Sequence, residues 1–269
     1  MNILNPKHSN LALLKKEFFE ASPFPFIVLD NFLSDDYFNE MSQFLQIGIQ
    51  PKLGKNFKTV VELNKSISLN SALPVYISNI VEELNKPSWI KNLKELTGIE
   101  SLVATKNGNS LLANYHEMSQ GGLLGSHVDH SFEPELGLPH VLNIVLYLSS
   151  DWDINFGGGT LLFDKFGAEV IKKVDYKPNR AIVFLHTPYS FHGVDKLTGN
   201  GSIVRKTLYV DYYSESLDPF KDMKFKFSNK YFRHGTTFRL PKFLDYFKYK
   251  NLNYTKTYLK YMIKVFMNR

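Results

Sequence analysis

His127-Val128-Asp129, then His192, then Arg205 are the residues in this chain whose types and spacing can do chemistry. Two imidazoles and one carboxylate hold one face of an Fe(II) ion and leave its other positions open. In an extended strand, residues i and i+2 point to the same side, so His127 and Asp129 form a two-ligand pair by local geometry alone. A third ligand far along the chain suits a barrel, where a distant strand lies alongside. The guanidinium of Arg205 is a planar fork that grips a carboxylate through two parallel donors. Such a fork can hold a dicarboxylate co-substrate near the metal.

Each of these readings has a rival. His186 ends the apolar run AIVFLH six positions before His192 and competes with it as third ligand. Lys206 competes with Arg205 but faces away on a strand whose Arg205 faces in. His8, His116, His140 and His234 read as surface or hydrogen-bonded core histidines, and His130 as facing away from the ligand pair. Gly157-Gly158-Gly159 reads as a strand-entry turn, because no Lys-Ser/Thr opening a helix follows it. Trp152 reads as packing, and Asn143 and Tyr209 as neighbours of the site in the barrel interior.

The elements that must position these residues are mostly short strands. Residues 10–21 read as an amphipathic helix with Ser9 at its N-cap, and 24–29 as a strand. A helix capped by Ser34 then runs to about Leu45. Residues 51–70 read as loop and short strand, followed by helices over 73–84 and 87–97, the second closing near Gly98. From Ser101 the period changes to β-rich runs at 101–106, 110–118, 140–149, 159–164, 168–174, 180–186 and 203–213. Turn signals separate them, among them Gly121-Gly122 and Gly199-Asn200-Gly201. The pattern predicts a mainly β fold with α: a double-stranded β-helix (jelly-roll) barrel buttressed by N-terminal helices. The parts are a support region over 1–100, a catalytic core over 101–214 and a C-terminal extension over 215–269, in one continuous domain.

Composition bounds the chemistry. The 269 residues contain no cysteine, which excludes disulfides, Fe–S clusters and thiolate zinc sites. This fits a reducing cytoplasm, the expected location, and the N-terminus shows no apolar run long enough for a signal peptide. The net charge of +6 is uneven: residues 221–269 hold 13 Lys+Arg against 2 acids, the rest 19 against 24. This basic tail, with a helix expected over 251–268, reads first as a solvated face packed near the barrel. Peripheral contact with anionic membrane is the second reading, and nucleic-acid binding, which is not expected, the third.

Four ordered blocks carry a resemblance: LLANYHEMSQGGLLGSHVDH, VLNIVLYLSSDWDINFGGGTLLF, RAIVFLHTPYSFHGV and VRKTLYVDYY. Over roughly a hundred residues, Leu111 to Tyr213, the chain resembles the prolyl-4-hydroxylase-like branch of the Fe(II)/2-oxoglutarate oxygenases. The resemblance implies His127, Asp129 and His192 as iron ligands. It implies Arg205 on the distal carboxylate of 2-oxoglutarate, with Tyr147 and Thr207 as further donors, and Tyr115 near the metal and co-substrate. Arg205 lies thirteen residues beyond His192, longer than in many relatives, and the Gly199-Asn200-Gly201 loop can absorb the difference. The implied reaction consumes 2-oxoglutarate and O2, with ascorbate as a possible reductant, and releases succinate and CO2. Asp129 fills the position a halide would need, so hydroxylation of a C–H bond is expected, with desaturation and ring closure open. The expected substrate is a prolyl-like protein side chain, a small molecule or a sugar. The alternative is a non-catalytic jelly-roll binding protein on the same scaffold.

Overall fold

The computed structural model describes residues 2–46, 55–59, 61–68, 73–104, 113–133, 137–199, 203–216 and 236–239. The helix expected over 251–268 and most of the basic tail lie outside these residues. Twelve strands among them form one curled antiparallel sheet of the jelly-roll kind. They are β1 (Phe26–Leu29), β2 (Lys55–Lys58), β3 (Glu62–Ser68), β4 (Leu102–Val103), β5 (Ala113–Val128) and β6 (His140–Tyr147). The second half adds β7 (Thr160–Phe163), β8 (Val170–Val174), β9 (Ala181–Leu185), β10 (His192–Val194), β11 (Val204–Ser214) and β12 (Thr237–Phe238). The order along the sheet is β1-β9-β6-β11-β5-β10-β7-β8, with β3 and β12 also on β5.

Period-two alternation decides which side chains reach the barrel interior. On β11, Leu208, Val210 and Tyr212 face one core, together with Ile144 and Leu146 of β6 and Val183 and Leu185 of β9. The intervening residues of β6 and β9, Val145, Tyr147, Ile182 and Phe184, face a second core inside the barrel. The first core is closed by four helices: α1 (Lys15–Glu20), α2 (Asp35–Gln46), α3 (Val75–Leu84) and α4 (Pro87–Thr97). Trp89, Leu93 and Leu96 of α4 recur at helical spacing and are buried there, each worth about 1.5–3 kcal/mol against exposure. Pro87 opens α4, and Gly98 closes it in a left-handed conformation (φ 71°), its N–H donating to the Lys94 carbonyl. Ser34 precedes α2 as expected, its Oγ 3.4 Å from the Tyr37 amide. Ser9 does not cap the first helical segment. The Leu11 amide instead donates to Asn92 Oδ1 of α4 at 2.6 Å, so a tertiary contact does the capping.

The largest departure from the sequence reading is β5. Gly121-Gly122, expected to end a strand, lies inside one of 16 residues. Against β3 the register runs Lys65↔Met118 but Leu63↔Leu123, so two positions on one strand face five on the other. Gly121 takes a φ of 73° at this bulge. The offset is odd, so a residue before the bulge and one of equal parity after it face opposite sides.

Candidate active site

His127 lies at the end of β5 and His192 opens β10, and the two are directly opposed. Gly193 permits this closeness: a Cβ there would sit 2.6 Å from the Leu124 carbonyl oxygen. Asp129 lies one residue beyond the end of β5 and still shares a side with His127. The ligand atoms of His127, Asp129 and His192 all fall within 4.8 Å of one another, the one such group among the described residues. His127 Nε2 is 3.4 Å from Asp129 Oδ1, and His192 Nε2 is 3.2 Å from Asp129 Oδ2. Both Nδ1 atoms are committed elsewhere, donating to the carbonyls of Gly125 (2.8 Å) and Ser190 (3.0 Å). That fixes the tautomer with each Nε2 lone pair toward the centre, an arrangement found around metal-binding histidines. Burial pushes the His127 imidazole below its ordinary pKa, which keeps it neutral as a ligand must be. The donor set therefore fits a divalent metal ion.

Partners from the barrel wall hold Asp129 in place. Tyr209 donates its hydroxyl to Asp129 Oδ2 at 2.6 Å, and Asn143 Nδ2 donates to the same oxygen at 3.1 Å. Asn143 and Tyr209 also touch each other. Rings pack the histidines from outside: Phe184 lies 4.8 Å from His192 and Phe238 5.1 Å from His127. Phe238 belongs to β12, the described piece of the basic tail, so this part of the tail lies against the His127-Asp129-His192 cluster.

Arg205 opens into the same cavity, about 400 Å³ in volume. It is 3% exposed. Its guanidinium sits 5.4 Å from the ring centres of both Tyr147 and Tyr176. Nε donates to the Gly158 carbonyl at 2.6 Å and Nη1 to Thr207 Oγ1 at 3.3 Å. Gly158 adopts φ 74°, and a Cβ there would stand 3.1 Å from Arg205 Cδ, so the glycine turn makes room for the arginine. Among the described residues no carboxylate lies within salt-bridge range of this guanidinium. Burial accordingly lowers its pKa from the ordinary arginine value. Lys206 faces the other way, its Nζ donating to the Leu45 carbonyl of α2.

The remaining expectations divide. Thr207 lines the cavity. Tyr147 is brought to the site as the floor under Arg205, but its hydroxyl is taken by Thr160, with Oγ1 at 2.6 Å and the amide at 3.1 Å. Tyr115 is not brought to the site. It packs in the helix-side core and donates to Glu117 Oε1 at 2.8 Å. The bulge in β5 is the reason: Tyr115 and His127 share parity but stand on opposite faces. His186 stacks on His140 at 4.2 Å, outside the cluster. His116 and His130, read as bystanders, both line the cavity with Asn114 and Asp211. The signal for Asn114 and His116 was their position either side of Tyr115, and for Asp211 its spacing of two from Tyr209.

Residues 112–213 match the sequence model of the 2OG-Fe(II) oxygenase superfamily. No curated protein sequence matches the chain. Among solved structures, a prolyl-4-hydroxylase from Pseudomonas putida superposes with TM-score 0.54 at 15% identity, covering 77% of this chain and 100% of that one. HygX from Streptomyces hygroscopicus, solved with nickel, 2-oxoglutarate and hygromycin B, gives 0.51 at 10% identity, covering 78% and 93%. SnoN, an α-ketoglutarate-dependent epimerase from nogalamycin biosynthesis, gives 0.52 at 10% identity, covering 78% and 84%.

Proposed function

We propose that this chain, which carries a 2OG-Fe(II) oxygenase domain of prolyl-4-hydroxylase-like fold, hydroxylates an unactivated C–H bond of an organic substrate. In this reading His127, Asp129 and His192 hold Fe(II). Arg205 takes the C5 carboxylate of 2-oxoglutarate on the floor made by Tyr147, with Thr207 Oγ1 as a second contact. Bound iron would supply the redox chemistry that activates O2, with conversion of 2-oxoglutarate to succinate and CO2. The protein's own residues position the partners. The Gly125 and Ser190 carbonyls orient the imidazoles, Tyr209 and Asn143 orient the carboxylate, and Phe184 and Phe238 shield the ligands from water.

The observation that carries this reading is the buried Arg205, which opens with the His-Asp-His cluster into one cavity and has no anionic partner among the described residues. A buried charge is costly unless paired. A dicarboxylate whose other end reaches the metal supplies the missing anion. Product identity is a separate matter, because an epimerase shares the scaffold. The test is turnover of 2-oxoglutarate to succinate with and without Fe(II), under 18O2. Hydroxylation places one labelled atom in succinate and one in the organic product. Iron-independent or absent turnover would refute the oxygenase assignment, and an unlabelled organic product would refute hydroxylation.

A further inference from the structure

The inward residues of β11 run Arg205, Thr207, Tyr209, Asp211. At roughly 3.3 Å per residue, Asp211 lies about 20 Å from Arg205 along the strand, at the other end of the cavity. Three imidazoles gather there. His140, which opens β6, stacks on His130 and on His186, with ring centres 4.9 and 4.2 Å away. His140 and Asp211 are fully buried.

His140 grips the chain just past a metal ligand. β5 ends at Val128, so residues 129–131 lie beyond its ladder. His140 Nδ1 donates to the His130 carbonyl and the His140 amide to the Ser131 carbonyl, both at 2.9 Å. The His130 ring is held as well, its Nε2 meeting the Tyr213 hydroxyl at 2.7 Å. Tyr213 is the register partner of His140 on β11. The paired ends of β6 and β11 therefore pin residues 130 and 131, and so fix the backbone that carries Asp129.

The two neighbours of the His140 ring decide its protons. A carbonyl only accepts, so Nδ1 carries a hydrogen while that contact lasts. Nε2 lies 3.3 Å from Asp211 Oδ1, at ion-pair distance. A neutral ring with its hydrogen on Nδ1 would turn the Nε2 lone pair on a buried carboxylate. The other tautomer would turn an Nδ1 lone pair on the His130 carbonyl. Only the imidazolium serves both partners. Burial opposes that charge, but Asp211 outweighs it, Asp129 adds to it, and the His140 pKa is raised. Burial lowers the pKa of His130 and of His186, so these two rings stay neutral beside it. Tyr213 faces His140 at 5.2 Å between ring centres, and burial raises its pKa, which keeps the hydroxyl protonated.

We propose that His140 is a positioning residue for the metal site: as an imidazolium bridging Asp211 and the His130 carbonyl, it holds the chain that carries Asp129. The inference rests on the reading above that His127, Asp129 and His192 hold a metal ion.

Two measurements on the full-length protein test it. The first is the ring spectrum of His140 in 15N-histidine-labelled protein loaded with Zn(II), identified by its loss in His140→Asn. At about pH 6.5, the ordinary histidine value, most wild-type molecules should carry hydrogen on both ring nitrogens. Asp211→Asn should leave the ring neutral with its hydrogen on Nδ1. A neutral His140 in the wild type at that pH would overturn the proposal. The second is the affinity for Co(II), by competition with a chelator, and the absorption spectrum of the bound ion. His140→Leu alone would strand the Asp211 charge, so the variants are made on Asp211→Asn. Adding His140→Leu, which removes the donor, should weaken Co(II) binding by about tenfold and alter the spectrum. Adding His140→Asn instead, which keeps an amide N–H near the place of Nδ1, should restore most of that loss. Equal affinity in all three proteins, or equal loss in both double variants, would overturn the positioning role and leave the metal reading standing. Absence of Co(II) binding by the wild type would overturn both.

Discussion

The two ends of the cavity differ in how their buried charge is met. At the Arg205 end a buried cation has donors to spare and no anion among the described residues. At the Asp211 end a buried carboxylate faces two imidazoles, His140 Nε2 at 3.3 Å from Oδ1 and His130 Nε2 at 3.6 Å from Oδ2. One strand, β11, supplies both ends, and its opposite face is plain core in Leu208, Val210 and Tyr212. A single period-two pattern therefore divides packing from chemistry, and among the described residues the Arg205 end leaves its charge for a ligand to meet while the Asp211 end meets its own.

The comparison can be broken at its centre first, where both ends meet the His127-Asp129-His192 cluster. His127→Ala should abolish metal binding and turnover, and retained turnover would place the metal elsewhere. At the anion end, Arg205→Ala should raise the 2-oxoglutarate KM by roughly 10²–10⁴-fold, the equivalent of about 3–5 kcal/mol for breaking a buried pair. Iron should still bind. The same logic gives an opposite sign without ligand. Arg205→Met should leave the melting temperature of the ligand-free protein unchanged or raised, because an uncompensated buried charge is removed. Between the two ends, Tyr209→Phe deletes the hydrogen bond to Asp129 and should weaken metal affinity by about 10–100-fold.

The Asp211 end makes a pH prediction. The pKa of His140 is raised in the folded protein by Asp211 against the opposing effect of burial. A raised histidine pKa contributes stability that is fully present below the unfolded value of about 6.5. That contribution disappears as pH rises through the folded value. The melting temperature of the wild type relative to Asp211→Asn should therefore be highest in acid and fall as pH rises past neutrality. A difference that grows with pH would show that His140 is not charged by Asp211. The smallest effect is expected on the outer face: Lys206→Met should leave the 2-oxoglutarate KM within about twofold, since Lys206 reaches α2 instead.

Much of this was legible in the sequence because local rules decided it. The strands over 140–147, 181–185 and 204–214 follow from runs of β-branched and aromatic residues. Gly98 ended its helix by the left-handed conformation it alone takes easily. The choice of Arg205 over Lys206 needed only alternation and one inward neighbour. What sequence could not supply was long-range register. The bulge near Gly121 in β5 needs β3 as a ruler, and without it Tyr115 is assigned to the wrong face. The Leu11 amide finds Asn92 across the fold, a contact that no local pattern encodes. Asp211, His116 and His130 join the cavity only because β5, β6 and β11 lie side by side, so each alone reads as an ordinary core or surface residue.

The central claim is that Arg205 exists to receive the distal carboxylate of a metal-chelating 2-oxo acid. It is tested most directly by calorimetric titration, without O2, of the metal-loaded enzyme with 2-oxoglutarate and with 2-oxopentanoate, which keeps the chelating end and lacks the C5 carboxylate. The wild type should bind 2-oxoglutarate at least about 100-fold more tightly, and Arg205→Met should erase that preference while still binding the metal. Equal affinity for both acids in the wild type, or a preference that survives in Arg205→Met, would contradict the account.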